Sequence, residues 1–173
     1  ARLAPPGGEV ATYHQLCDRR LRDAGRPPAF GAPGAFRRME AEFAALVEAQ
    51  PEPDWQFDAL IIDEGQDFME PWRDALLALL KPGGRAWWLE DPLQNLYDRP
   101  AVALPDWVRL TADTNYRTPA DILALLNARL PLPDPIRAGS PVTDSEPELL
   151  AWHDDAGLLD ATRRAITRAL GLG

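Results

Sequence analysis

Apolar residues recur along this chain in two spacings, which predict helices in some segments and strands in others. Intervals of three and four residues predict helices over residues 14–24, 35–50, 71–80, from 119 onward, and over 156–170. Short continuous apolar runs predict strands over 59–62, 85–89 and 107–110, with further candidates at 9–13 and 148–152. The proline-rich segment 131–141 predicts a linker or an extended loop. This alternation is typical of an α/β fold.

The two central apolar runs flank a predicted helix, and this order favours parallel pairing of the two strands. Pro71 suits the first turn of that helix, and the segment 81–84, Lys-Pro-Gly-Gly, is predicted to stop it. The run 59–62 contains only apolar residues and is predicted to be buried on both faces. Trp87 and Trp88 point to opposite faces of the second strand, and both are interpreted as core residues.

The strand 59–62 ends directly in Asp63 and Glu64. Open α/β sheets bind their ligands at the carboxyl ends of their strands, so these two acids stand where a ligand is expected. In a Walker B element the Asp holds Mg²⁺, usually through water, and the Glu polarises the water that attacks a γ-phosphate. A plain strand followed by an acidic turn is the alternative.

Composition narrows the class of protein. The 173 residues are enough for one core, or for one lobe with part of another. No apolar run is long enough to span a bilayer and no signal-peptide pattern is present, so a cytoplasmic location is expected. Cys17 is the only cysteine and the histidines are His14 and His153, which makes a zinc site improbable. The net charge of −9 indicates that any contact with nucleic acid is local.

Four segments occur in an order that is known from one family of motor proteins. They are Thr12-Tyr13-His14-Gln15-Leu16, Asp63-Glu64-Gly65-Gln66-Asp67, Asp91-Pro92-Leu93-Gln94-Asn95-Leu96-Tyr97 and the stretch from Leu110 to Thr118 with Asn115-Tyr116-Arg117. Together they resemble the Thr-aromatic-His segment and motifs II, III and IV of the UvrD/Rep-type superfamily I helicases. The resemblance covers most of residues 12–119 and fades afterwards.

The resemblance implies a fold and a division of the chain. The expected fold is a partial RecA-like parallel sheet flanked by helices, with the start of a second RecA-like lobe. Residues 1–111 would form the C-terminal part of the first lobe, and residues 112–173 would begin the second. Thr118 is expected to cap the helix that Pro119 starts.

The resemblance also implies roles around ATP. Asp63, together with Glu64, would hold Mg²⁺, and Glu64 would orient the attacking water. Gln94 would sense the γ-phosphate, Arg117 would reach that phosphate from the second lobe, and Tyr116 would stack on the adenine. The local alternatives are a turn-capping role for Gln94 and simple packing for the Tyr-Arg pair.

Single-stranded or partly duplex DNA, with RNA as a further possibility, is the expected partner. Thr12 and His14 would lie against the nucleic-acid backbone, although Thr12 could equally cap the helix that follows. The sequence departs from the family at Glu90, where glycine is usual. It departs again after Tyr97, where Arg99 follows in place of a stacking aromatic residue, so Arg99 would contact a phosphate or stack as a planar cation.

The phosphate-binding Gly-x-x-x-x-Gly-Lys-Ser/Thr motif is missing from these residues. Lys81 is the only lysine, and Pro82 follows it. The chain is therefore interpreted as the central part of a longer ATP-dependent helicase or translocase, which would bind ATP and Mg²⁺ only together with the rest of the helicase chain. By itself the chain is expected to hydrolyse little or no ATP.

Two other functions fit parts of the pattern. A degenerate helicase-like module could serve as a protein-binding scaffold, but it would not need Asp63, Glu64, Gln94 and Arg117 together. A metal-dependent phosphoryl-transfer or nuclease site could be built from Asp63, Glu64 and Asp91 on an unrelated α/β fold. That site does not account for Gln94 or for the Asn-Tyr-Arg segment.

Overall fold

The computed structural model describes residues 7–49, 53–132, 134–143 and 147–171. Contacts divide the chain into two compact units, Ala1–Trp107 and Val108–Gly173, which we call the first and second units. The described residues form a mixed α/β structure with five helices and two small parallel sheets. None of the helices in the described ranges is long and apolar enough to cross a membrane.

In the described part of the first unit, three α-helices form the helical layer: α1 (Tyr13–Asp23), α2 (Ala35–Glu48) and α3 (Glu70–Ala78). A capping box starts α1, because the Thr12 side chain accepts the Gln15 N–H while the Gln15 side chain accepts the Thr12 N–H. Gly34 precedes α2 with a φ of 74°, a left-handed conformation that glycine adopts without strain. Pro71 lies in the first turn of α3, as predicted.

Apolar side chains of these helices form one core. Cys17, Leu21 and Phe43 are completely buried, and Tyr13 stacks on Trp72 with 4.5 Å between ring centroids. The guanidinium of Arg20 lies between two aromatic rings at the margin of this core, 5.8 Å from Trp55 and 5.7 Å from Phe57. The other members of the buried cluster are Leu16, Met39, Val47, Ile62, Ala75, Leu76 and Leu79.

The strands β1 (Phe57–Ile62) and β2 (Leu80–Trp88) pair in parallel, which confirms the predicted pairing. β2 begins earlier than predicted, because α3 ends at Ala78 and the segment 81–84 is part of the strand. The register shifts between the pairs Phe57–Leu80 and Ala59–Arg85, so between these two pairs β2 contains more residues than β1. Gly83, with a φ of 77°, accommodates the irregularity.

The prediction that 59–62 is buried on both faces is wrong. Leu60, Ile62 and Trp88 pack against the core, but Ile61 is 71% exposed and Trp87 is 46% exposed. A parallel sheet is buried on both faces only where a layer covers each of them, and the described helices of the first unit pack on one face. The assignment of Trp87 to the core is therefore also wrong.

Three predicted strands are not formed. Residues 9–13, 107–110 and 148–152 have no strand conformation, and Tyr13 is already the first residue of α1. Composition alone does not make a strand, because the backbone needs a neighbouring strand to accept and donate its hydrogen bonds. At the first of these segments Thr12 caps α1 instead.

The second unit contains β3 (Thr114–Asn115), α4 (Ala120–Arg129), β4 (Arg137–Ala138) and α5 (Asp155–Gly171). β3 and β4 pair in parallel, so the segment predicted as a linker contains a short strand. The helix from 119 onward begins one residue late, with Pro119 as its N-cap, and the predicted cap by Thr118 is wrong. The Thr118 N–H is bonded to the Asn115 side chain, which ends the preceding turn.

Candidate functional site

The carboxyl ends of β1 and β2 lie at one edge of the first sheet. Ile62 pairs with Trp88 as the last residue of each strand, so the acids that follow the two strands emerge side by side. We call this the acidic edge and define it as Asp63, Glu64, Glu90 and Asp91. The edge lies where a parallel sheet is expected to bind a ligand.

Backbone hydrogen bonds continue the strand pairing a short way past the strands. The Leu89 N–H donates to the Ile62 carbonyl at 2.9 Å, and the Gly65 N–H donates to the Leu89 carbonyl at 2.7 Å. A single 3-10 turn, Gly65–Asp67, then carries the chain away from the sheet. These bonds fix the backbone on both sides of Asp63 and Glu64.

Glu64 occupies an unusual backbone conformation. Its φ and ψ are 53° and 46°, in the left-handed region that residues with a side chain rarely adopt. Its N–H donates to the Asp63 carboxylate at 3.0 Å, and both side chains are exposed. Backbone strain of this kind concentrates at functional sites, because the surrounding structure must hold it in place.

A buried glutamine connects the two sides of the acidic edge. Gln66 is only 9% exposed, and its Nε2 donates to Glu64 Oε2 at 2.7 Å. Its Oε1 accepts the backbone N–H of Asp91 at 2.9 Å. Sequence reasoning assigned no role to Gln66. The only available signal was an amide side chain two residues after Glu64, in the turn that follows an acidic strand end.

Asp91 organises the turn that follows β2. Its Oδ1 accepts the Leu93 N–H at 3.0 Å and so caps the 3-10 turn Pro92–Gln94. Its Oδ2 accepts a hydrogen bond from Gln94 Nε2 at 2.6 Å. Gln94 is exposed at the acidic edge, and the capping residue of this turn is Asp91 rather than Gln94.

Glu90 contributes charge to the acidic edge but has a structural partner. Its Oε2 accepts the indole N–H of Trp88 at 3.0 Å. Because Trp88 packs against the core on the same side as Phe68, with 5.5 Å between the ring centroids, this bond ties the Glu90 carboxylate to the sheet. The residue that departs from the helicase pattern is therefore used to fix an aromatic ring.

Arg99 is held by other groups of the first unit. Its guanidinium donates to the Asp67 carbonyl and lies 5.3 Å from the Trp72 ring and 5.1 Å from the Tyr97 ring. Asn95 fixes its backbone by accepting the Arg99 N–H and donating to the Arg99 carbonyl. Its proposed contact with nucleic acid stays a prediction.

His14 shares Trp72 with Arg99. The imidazole of His14 lies edge-on to the Trp72 ring at 5.1 Å, and its Nε2 is bonded to Glu40 Oε1 at 2.8 Å. Thr12, two residues earlier, is occupied by the capping box of α1. Two of the residues predicted to contact nucleic acid, His14 and Arg99, therefore lie around one aromatic side chain although they are far apart in the sequence.

Burial has removed the reactivity of the single cysteine. Cys17 is fully buried, and this burial raises the pKa of its thiol to about 12. The pKa of the neighbouring Tyr13 hydroxyl is raised as well, chiefly by its own burial. A catalytic thiolate is accordingly not part of this site.

The second unit carries Tyr116 and Arg117 immediately after β3. The Asn115 side chain accepts the N–H groups of Arg117 at 2.9 Å and Thr118 at 2.8 Å, which builds a tight turn. Both predicted site residues are exposed on this turn, Tyr116 at 75%. Gly139 allows close approach of the Tyr116 ring, since a Cβ there would lie 2.6 Å from it. Their roles toward a nucleotide stay predictions.

The metal chemistry of the acidic edge is limited. Across residues 7–49, 53–132, 134–143 and 147–171, no group of three His, Cys, Asp or Glu side chains is placed to hold a metal ion. The nuclease hypothesis, which needs Asp63, Glu64 and Asp91 together, gains no support from such a group among these residues. Exposed carboxylates such as Asp63 and Glu64 do fit Mg²⁺ that keeps its waters and takes further oxygens from nucleotide phosphates.

Compared with models of protein families, with curated proteins and with solved structures, the chain matches none.

Proposed function

We propose that this chain is the central part of an ATP-dependent helicase or translocase, with a partial RecA-like first lobe and the start of a second. The observation that carries the proposal is the acidic edge. Two parallel strands end side by side in Asp63-Glu64 and Glu90-Asp91, and Gln66 joins the two ends by hydrogen bonds. Acids at the adjacent carboxyl ends of two parallel strands lie where α/β sheets bind their ligands, which supports the proposal.

Asp63 and Glu64 of the acidic edge, together with Gln94 in the turn that follows β2, take part in ATP hydrolysis under this proposal. Asp63 would hold Mg²⁺ through water, and Glu64 would orient the water that attacks the γ-phosphate. Gln94 senses the γ-phosphate from the turn that Asp91 caps. When bound, ATP would supply the reacting phosphate and Mg²⁺ the charge that stabilises its transfer, and Glu64 would position the water.

The phosphate cradle is the missing part. Lys81, the only lysine, is paired with Asp58 at 2.9 Å and lies on β2, at the opposite end of the strand from the acidic edge. It is not placed to neutralise a phosphate at Asp63. Under the proposal, a Gly-x-x-x-x-Gly-Lys-Ser/Thr loop from the rest of the protein supplies that charge.

Trp72 brings together two of the groups assigned to the nucleic acid. His14 and Arg99 both lie against its ring, so these two groups are close to each other in the first unit although they are far apart in the sequence. The net charge of −9 limits binding of nucleic acid to local contacts, and binding by this chain alone is expected to be weak.

The first experiment is to read the native coding region on both sides of the chain. An in-frame Gly-x-x-x-x-Gly-Lys-Ser/Thr upstream is the expected result. A native protein without such a motif would overturn the ATPase proposal.

The second experiment uses the protein that carries this motif and compares Glu64→Gln with Glu42→Gln. Glu42 lies exposed on α2 and serves as the matched control. Loss of the water-orienting carboxylate should lower ATP turnover by about 10²- to 10⁴-fold, while nucleotide binding remains. Equal turnover in the two variants would contradict the assignment of Glu64.

A protein-binding scaffold is the second candidate, and one observation favours it. Ile61, Trp87 and Leu89 are exposed on the face of the sheet that the described helices do not cover. Apolar sheet faces of this kind are usually covered by another layer. If the protein is a scaffold, it has no ATP turnover before or after Glu64→Gln, and the substitution leaves binding of its protein partner unchanged.

A further inference from the structure

Gln66 has a position that local sequence does not explain. It is buried at 9% exposure in a turn whose other polar side chains, Glu64 and Asp67, are more exposed. Both ends of its carboxamide are used, one toward Glu64 and the other toward the Asp91 backbone. The residue therefore connects β1 to β2 beyond the point where the strands themselves end.

We propose that Gln66 is the positioning residue for Glu64, holding its carboxylate in a fixed orientation relative to the end of β2. The proposal rests on the function proposed above, since it assumes that Glu64 orients the attacking water.

The chemistry of the carboxamide supports this role. A carboxylate offers only acceptors and a backbone N–H offers only a donor, so the group between Glu64 and Asp91 must donate at one end and accept at the other. The reverse orientation of the amide would place oxygen against oxygen and N–H against N–H, so the partners fix its orientation. A hydrogen bond to an ionised acceptor is also stronger than a neutral one.

The burial of Gln66 and the backbone geometry of Glu64 explain why the Gln66–Glu64 hydrogen bond can orient the carboxylate. The Glu64 side chain is exposed, so the surrounding solvent does not hold it in one rotamer. Its backbone adopts a strained left-handed conformation. Gln66 is shielded from water by its burial and is supported at its far end by Asp91. It is the side-chain hydrogen-bond partner of the Glu64 carboxylate that the structure records.

The same contacts extend to Gln94. Asp91 accepts from Gln94 at 2.6 Å and donates its N–H to Gln66 at 2.9 Å. A continuous series of hydrogen bonds therefore runs from Gln94 through Asp91 and Gln66 to Glu64. If the turn 92–94 moves on phosphate release, Asp91 and Gln66 would move with it, and the orientation of the Glu64 carboxylate would change.

Two substitutions separate the two ends of Gln66. Gln66→Glu keeps an acceptor for the Asp91 N–H but removes the donor to Glu64 and adds repulsion. Gln66→Met keeps similar volume and removes both bonds. Gln56→Met is the matched control, because Gln56 lies before β1 at the other end of the strand.

The first readout uses this chain and needs no ATP. Amide exchange of Asp91, measured by NMR, should be at least about tenfold faster in Gln66→Met than in the unchanged chain. In Gln66→Glu and Gln56→Met it should stay close to the unchanged value. Equal exchange in all four proteins would overturn the proposal, because the bond to Asp91 would then be absent in solution.

The second readout is steady-state ATP hydrolysis by the protein that carries the phosphate loop. Both Gln66 variants should lower kcat by about 10- to 100-fold, as the loss of an orienting partner usually does, with little change in the KM for ATP. The control Gln56→Met should retain the full kcat.

The outcomes distinguish this proposal from the one on which it rests. If Glu64→Gln loses turnover while Gln66→Met and Gln66→Glu retain it, the positioning role is wrong and the helicase proposal stands. If Glu64→Gln itself retains turnover, the proposed function fails and the positioning role fails with it. A rise in KM with unchanged kcat would assign Gln66 to nucleotide binding and would also contradict the proposal.

Discussion

Gly65 lies directly against the indole ring of Trp88. A Cβ added at position 65 would be 2.1 Å from the indole nitrogen, which is shorter than any normal contact, and both Gly65 and the neighbouring Gln66 are buried. The contact joins the turn after β1 to the last residue of β2, so it fixes the distance between the two strand ends. Only glycine allows this approach.

Gly65→Ala should therefore disturb the acidic edge. Either Trp88 moves or the turn Gly65–Asp67 shifts, and overpacking of this kind typically destabilises a protein by about 1–3 kcal/mol. Urea unfolding followed by tryptophan fluorescence measures the change. Gly31→Ala is the control, because a Cβ there meets nothing within 4 Å, and equal stabilities of the two variants would contradict the packing shown here.

Phe43 should contribute much more to stability than Phe36, although both lie on α2. Phe43 is fully buried and lies against Tyr13 at 5.9 Å, whereas Phe36 is 56% exposed. Phe43→Ala is expected to lower the free energy of unfolding by about 3–5 kcal/mol, and Phe36→Ala by about 1 kcal/mol or less. Chemical denaturation of the two variants side by side tests the position of the core. Similar losses would mean that α2 presents a different face to the core.

Cys17 should react with thiol reagents only when the first unit opens. Its pKa is raised to about 12 from an ordinary value of 9.0, so at pH 8 the native chain has about a thousandfold less thiolate than an unfolded chain. Because Cys17 is the only cysteine, the labelling rate reports this site alone. Labelling should be slow in buffer, fast in denaturing urea, and faster in Phe43→Ala than in Phe36→Ala. Rapid labelling of the unchanged chain in buffer would contradict the burial of this thiol.

The same groups predict loss of stability at alkaline pH. Burial raises the pKa of both Cys17 and Tyr13, so the folded state binds protons more tightly than the unfolded state. The contribution of the protonated Cys17 thiol to the free energy of unfolding is fully present below pH 9, and it is lost as the pH rises from about 9 to about 12. Urea midpoints measured across this range should fall, and they should fall less steeply in Cys17→Ala. An equal slope in that variant would show that the thiol does not contribute.

Thr12 should stabilise α1 whether or not it contacts nucleic acid. Its side chain accepts the Gln15 N–H at 3.2 Å, and Thr12→Ala removes this bond at a cost of about 1 kcal/mol. Thr12→Ser keeps the hydroxyl and should retain the stability. Thermal unfolding of both variants, with the exposed Thr111→Ala as control, separates the cap from any role in binding. An equal loss in the alanine and serine variants would point to the missing methyl group instead.

Local pattern was sufficient for features that depend on neighbours in the sequence. The helix that apolar spacing predicts over 35–50 forms over 35–48, and the cap by Thr12, which the sequence left open as an alternative, is formed. The adjacency of the two acidic strand ends follows from the strand-helix-strand order, because that order favours parallel pairing. The boundaries shifted where the segment 81–84 joined β2 rather than ending a helix.

Tertiary structure alone decided the features that depend on residues far apart in the chain. Gln66 binds Asp91 across 25 positions, and His14 and Arg99 meet on Trp72. The exposure of Ile61 likewise depends on which layers cover the sheet, and an apolar run has the same sequence whether or not a second layer is present. The sequence by itself determined which acids end the strands, through hydrophobic periodicity. Which side chain holds those acids in place was decided only by folding, because such contacts arise from three-dimensional packing and leave no period in the sequence.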